Sequence, residues 1–130
     1  MLVEVQADTD VSEADSVLAE GFLARSEWSE ALAFTDSALA AARSCDARQA
    51  VRSLLRIRAR AAFELGELDA ARASLEEARV LCGDEGRWDL GFVLVELADV
   101  AAAQGDPAAD ALRREGEDDL RQQGAVRPTD

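Results

Sequence analysis

The stretch FLARSEWSEALAFTDSA, residues 22–38, returns in outline as FELGELDAARASLEEA, residues 63–78. Each copy has a polar break, an acid, a large apolar residue, and alanines at matching offsets. The first reads Ser26-Glu27-Trp28 with Ala31 and Ala38; the second reads Gly66-Glu67-Leu68 with Ala71 and Ala78. A third break falls at Gly105-Asp106, and the three breaks lie 40 and 39 residues apart. Equal spacing with matching flanks marks one unit used three times. A unit that small cannot bury its own apolar face, so the copies must stack.

The units read as helical. The chain has only two Pro and few β-branched residues, a balance that favours helix over sheet. Residues 1–10 form a lead-in, and Asp10 with Glu13 has the spacing of a capping box. Val11, Ala14, Val17, Leu18, Phe22 and Leu23 then follow at helical spacing. A second helix is predicted over 28–44. Asp46 with Gln49, a second capping-box pattern, opens a third that runs to 65 and stops at Gly66. A fourth is predicted over 68–81, closed by Gly83, with Asp84 as a cap for the next. The fifth spans 87–104 and stops at Gly105. Asp106-Pro107 restarts a sixth, which ends near Gln123, and 125–130 is tail. The expectation is an all-α domain over 11–124, a right-handed superhelix of three hairpins at about 11–45, 46–83 and 84–124.

Small residues recur where the helices of a hairpin must approach. Ala19, Ala59 and Ala98 precede the breaks; Phe22, Ala62 and Ala101 follow three residues later. Ala31, Ala71, Ala38 and Ala78 supply the second helix of the first two pairs, at the short end of the usual ~8–10 Å packing range. Trp28 and Leu68 occupy the same turn position and should plug the corner. Gly21, Gly91 and Gly116 stand inside predicted helices at a cost of about 1 kcal/mol each, which close packing would offset.

At LAEGF, SEWSEA and TDSA, then GELDAA and SLEEA, then LADVAAAQGD, the chain resembles the tetratricopeptide repeat (TPR) over about residues 11–123. Its period is near 40 where the family's is about 34, so its helices are longer. The sixth helix lacks the family's second-helix pattern, placing Asp110, Arg114 and Glu117 at expected apolar or small positions. A polar terminal helix suits the end of a stack. The long repeat also resembles the helical-repeat regions of bacterial LuxR-type and related multidomain transcription regulators. LRQQGAVRP is similar to the segment that precedes their DNA-binding helix-turn-helix. The resemblance implies a non-enzymatic module that binds a peptide or protein segment in a concave groove. The alternative it implies is a sensory or oligomerisation segment of a regulator whose DNA-binding domain is not in this chain.

Composition narrows the partners. All 14 basic residues are Arg against 27 acids, for a net charge of −13. That balance opposes direct nucleic-acid binding and adsorption to anionic membranes. No apolar run approaches the ~18 residues of a membrane span, and the expected compartment is the cytoplasm. With no His, Lys or Tyr, neither metal nor cofactor chemistry nor a catalytic base is expected. Cys45 and Cys82, the only cysteines, should be reduced and buried. Self-association is left open.

The most unusual stretch is RQAVRSLLRIRAR. Arg48, Arg52, Arg56 and Arg60 recur every four residues and form one drifting ridge. By the family pattern the first helix of each pair lines the groove. The resemblance therefore places Arg56 and Arg60 there, with Ile57 and Phe63 nearby and Phe92 and Val95 on the fifth helix. Guanidinium groups suit bidentate capture of carboxylate, so one reading is an acidic peptide or chain terminus. The other is internal: Glu20, Arg60 and Asp99 hold equivalent repeat positions and would form an acid–Arg–acid ladder. Arg58 lies in the apolar stripe of Val51, Leu54, Leu55, Ala62 and Leu65, where it must snorkel or pair with a neighbouring acid. Glu76-Glu77 and Asp118-Asp119 read as solvated surface, because adjacent residues on a helix point apart.

Overall fold

The computed structural model describes residues 14–83 and 87–124. Among the described residues it holds six helices and no strand. Helix α1 covers 14–24, α2 Trp28–Ser44, α3 Arg48–Glu64, α4 Leu68–Leu81, α5 Arg87–Ala103 and α6 Ala109–Gln122. The predicted bounds of α2 and α4 are met to the residue. The Asp10 capping box and the Asp84 cap lie outside the described residues.

One backbone device makes four of the five connections. At α1–α2 the Glu27 N–H bonds Phe22 O at 2.9 Å and the Ser26 N–H bonds Leu23 O at 2.9 Å. At α3–α4 the same pair runs from Glu67 to Ala62 O at 2.8 Å and from Gly66 to Phe63 O at 3.0 Å. At α5–α6 it runs from Asp106 to Ala101 O and from Gly105 to Ala102 O. These are Schellman closures, in which a left-handed residue satisfies the last carbonyls of a helix. The left-handed residues are Ser26, Gly66 and Gly105, with φ of 58°, 80° and 74°.

The fourth use is at α2–α3, where the capping box was expected. Ala47 N–H bonds Ala42 O, Asp46 N–H bonds Arg43 O, and Asp46 sits at φ 55°. Asp46 therefore ends α2 rather than starting α3. The N-cap of α3 is Ala47, whose side chain can cap nothing. An Asp tolerates the left-handed region better than most side chains, so the residue that looked like a cap is a stop. Glu27, Ala47 and Glu67, the next residues, share nearly one conformation, with φ −92°, −81° and −88° and ψ 71°, 76° and 71°. At α6 the sequence reading holds in part: Asp106 Oδ1 accepts the Ala108 N–H at 2.9 Å, but Pro107 lies in a turn and the helix begins at Ala109 with Ala108 as its N-cap. The α4 exit is different, because neither Cys82 nor Gly83 is left-handed.

The repeated alanines are where the register put them. Ala19, Ala31, Ala38, Ala59, Ala62, Ala71, Ala78, Ala98 and Ala101 are all buried. Leu54, Leu55, Leu75, Leu94, Leu97 and Val93 fill the space between helices. Neighbouring helices α2·α3, α3·α4, α4·α5 and α5·α6 pack together. Helix α1 joins through buried Ala19 and through the Phe22 and Phe34 rings, 5.6 Å apart.

Ion pairs connect helices two apart. Arg43 holds Glu77 at 2.7 Å between α2 and α4, and Arg79 reaches Glu115 at 3.7 Å between α4 and α6. Arg58 resolves as expected of a cation in an apolar stripe. It donates to Asp36 at 2.6 Å and to Ser74 Oγ at 2.8 Å.

The α5–α6 pair comes together through glycine. A Cβ on Gly116 would stand 2.9 Å from Gly91 O, and one on Gly91 would stand 2.7 Å from Leu120 Cγ. Asp119 is buried in this contact, so it is not the solvated carboxylate its sequence neighbours suggested. Helix α6 is polar apart from one stripe, Ala109, Leu112, Gly116 and Leu120, and the turn that brings Gly116 to α5 carries Asp119 with it, three residues on. Gly21 has no such role: the nearest atom to a Cβ there is Arg25 Nη1 at 3.5 Å, an ordinary contact.

Candidate functional site

A hollow of about 250 Å³ lies between α3 and α5. Its floor is Ala59, Leu75 and Val100, each 2 % exposed. Phe63 forms part of its wall. Arg56, Arg60, Glu64, Glu96 and Asp99 form its polar rim. A small residue is needed at Ala59 for the α3–α4 approach, and that leaves room above it.

The four ridge arginines have four different environments, because residues four apart on a helix drift by ~40° per step. Arg48 is exposed. Arg52 is turned inward and only 5 % exposed. Its Nε approaches Asp89 Oδ2 at 3.4 Å, and its Nη1 is buried with no hydrogen-bond partner. Arg56 is half-buried and grips Glu96 in a two-point pair at 2.8 and 3.1 Å, with Asp89 at 3.8 Å. It also lies 5.7 Å over the Phe92 ring, within cation–π range. Burial opposes the Arg56 charge, but the hydrogen-bonded Glu96 and nearby Asp89 outweigh it and hold the guanidinium above its ordinary range. Arg60 is exposed, bonded to Glu64 of its own helix at 3.0 Å and 6.0 Å over the Trp28 ring.

The acid–Arg–acid ladder is not formed. Arg60 meets neither Glu20 nor Asp99. Asp99 is taken by Arg113 of α6 at 2.6 Å, and Glu20 is exposed on α1 away from the hollow. The reason is geometric. Equivalent residues on stacked helices point the same way, not at one another, so a partner must come from the facing flank of the next helix. That flank carries Glu96 and Asp89, whose sequence offsets from Arg56 are 40 and 33. The repeat equivalent of Arg56 is Val95, so Glu96 stands one residue beyond the position that the period marks.

Of the other residues placed in the groove, Phe63 lines the hollow. Phe92 is 44 % exposed beside it under Arg56. Ile57 does not line it; it is buried in the core. Val95 faces α6 instead, with its Cγ2 against the Gly116 notch. Ala59, Glu64, Leu75, Glu96 and Val100 were missed as lining residues. Leu75 and Val100 read as ordinary core positions, and nothing local marks them as a cavity floor.

Neither cysteine is in a disulfide, as expected, and both are half-buried rather than buried. Each follows the last turn of a helix, where the chain leaves the packed face. Burial pushes the Cys82 thiol up and Asp89 adds to this, against the opposing effect of Arg52 and Arg56. A raised thiol is a poor nucleophile. Among the described residues no group of His, Cys, Asp and Glu is placed to hold a metal ion, and no helix is long and apolar enough to cross a membrane.

Comparison with protein-family models, with curated proteins and with solved structures finds no match to this chain.

Proposed function

We propose that the chain is a non-enzymatic interaction module, a TPR-like right-handed stack of hairpins that receives a segment of a partner protein on its α3–α5 face. The observation that carries this reading is the 250 Å³ hollow, with its apolar floor, aromatic wall and charged rim. Binding energy concentrates where an anchor side chain enters a desolvated pocket inside a polar ring, and this hollow has that form. The superhelical arrangement is supported by the common corner geometry at Ser26, Gly66 and Gly105 and by burial of the alanines at repeat positions. The raised Cys82 thiol and the lack of His support the non-enzymatic part. An intracellular setting fits two cysteines that form no disulfide.

The test is affinity capture from source-cell lysate with the wild-type chain and with Phe63→Ala/Phe92→Ala, read by mass spectrometry. Circular dichroism melts confirm that both are folded. A partner retained by the wild type and lost from the variant is the expected result. An identical set of partners on both would remove this face from the functional account.

A further inference from the structure

The geometry points to a particular occupant: a segment carrying one large apolar side chain flanked by Arg or Lys. This deepens the groove reading and rests on it. At about 250 Å³ the hollow is smaller than the ~300–1,000 Å³ typical of small-molecule sites. It suits a single Leu, Met or Phe rather than a cofactor. The buried floor of Ala59, Leu75 and Val100 offers that side chain no polar partner and asks for none.

The rim decides the flanking charge. Both rim cations are already engaged, Arg56 by Glu96 and Asp89, Arg60 by Glu64. An incoming carboxylate would have to displace an internal one that is tethered and correctly placed. The rim anions are in the opposite position. Each ionised carboxylate has about four acceptor sites, and one arginine does not fill them. The side chains of Glu64, Glu96 and Asp99 are 32, 40 and 53 % exposed, so they remain open to further N–H donors. The long-range field has the same sign. A net charge of −13 draws cationic segments in and repels a second copy of this chain. The ridge that looked like an anion receptor is thus largely neutralised from within, and beside the exposed but paired Arg60 the rim keeps three carboxylates open to solvent.

The experiment uses the full chain with labelled Val and Leu methyl groups, followed by NMR. Three capped synthetic peptides are titrated: a central Leu between pairs of Arg, the same Leu between pairs of Glu, and a central Gly between pairs of Arg. Saturable shifts of the Val100 and Leu75 methyls are expected with the first peptide. Affinity for the second should be at least about tenfold weaker, and the third should leave those methyls in place. Affinity for the first should fall between low and physiological salt, and should fall several-fold in Glu64→Gln/Asp99→Asn. Equal or tighter binding of the Glu peptide at the same methyls would overturn the cationic partner and leave the groove reading standing. Shifts as large with the Gly peptide would overturn the apolar anchor. No saturable shift at Val100 or Leu75 with either Leu peptide would sink both readings together.

Discussion

The α3–α4 and α5–α6 pairs solve one packing problem with different residues. The first pair closes through alanine, Ala59 and Ala62 from α3 and Ala71 and Ala78 from α4, all buried. The second puts glycine at the contact, Gly91 against α6 and Gly116 against α5, and a methyl at Gly116 would press on a backbone carbonyl. Alanine leaves a methyl to fill the gap and keeps good helix propensity; glycine gives up about 1 kcal/mol of propensity for a closer approach. The first solution recurs along the chain at fixed offsets, so it is visible in the sequence. The second occurs once, and it carries a buried carboxylate, Asp119, with it.

The sharpest way to break the comparison is Gly116→Val. The added atoms meet Gly91 O and Leu94 Cβ within 3.0 Å, and backbone cannot give way as a side-chain tip can. A loss of about 3 kcal/mol is expected in urea unfolding; a loss under 1 kcal/mol would mean the pair is looser than it looks. Ala71→Leu tests the other solution and should cost about 2 kcal/mol, since a branched side chain must open the α3–α4 seam.

The corners offer a gain. Asp46→Gly, at φ 55°, should raise stability by up to about 1 kcal/mol by relieving a left-handed non-glycine residue. No gain would show that the Asp46 side chain offsets its own strain. Gly21→Ala is the control for the glycine argument: with nothing nearer than 3.5 Å, helix propensity alone should add about 0.5–1 kcal/mol. A loss there would place Gly21 in an interface.

The smallest effect concerns pH. The Ala108 N–H first, then Arg72, hold the Asp106 carboxyl below the usual carboxylate range. A depressed folded-state value means its contribution is present above the unfolded value of about 3.9 and fades as pH falls through the folded one. Melting temperatures of wild type and Asp106→Asn should therefore converge as pH is lowered from about 5 to about 3. A constant gap across that range would show that the carboxylate's charge is not what matters.

How much was legible follows from which signals are local. A left-handed glycine stop leaves its mark in three or four residues, so the stops at Gly66 and Gly105 could be read directly. Asp46 shows the limit, because the same letters that start a helix can end one. Choosing between the two needs the backbone torsion, not the side chain. The alanine positions were legible because three copies of one pattern average out chance. The ion pairs were not, because the facing flank of a neighbouring helix depends on the helix rotation. That is why the acid row was sought at Glu20 and Asp99 when it stands at Asp89 and Glu96. The same rotation sent Val95 to α6 and Ile57 to the core. The hollow itself arises where small Ala59 leaves space above buried Leu75 and Val100, a negative feature that no residue type announces.

The shared corner has a kinetic consequence. Each Schellman closure is made within six residues and delivers the next helix straight onto the one before it. The principal contacts among α2 to α6 accordingly join helices adjacent in sequence. Few distant segments must find each other before stabilising contacts form, so the loop-closure entropy ahead of the barrier is small. Contact order this low belongs to chains that fold in microseconds to milliseconds. Ser26 and Asp46, left-handed without being glycine, then act on the speed of assembly as well as on its final stability, because the turns they hold decide how soon neighbouring helices meet.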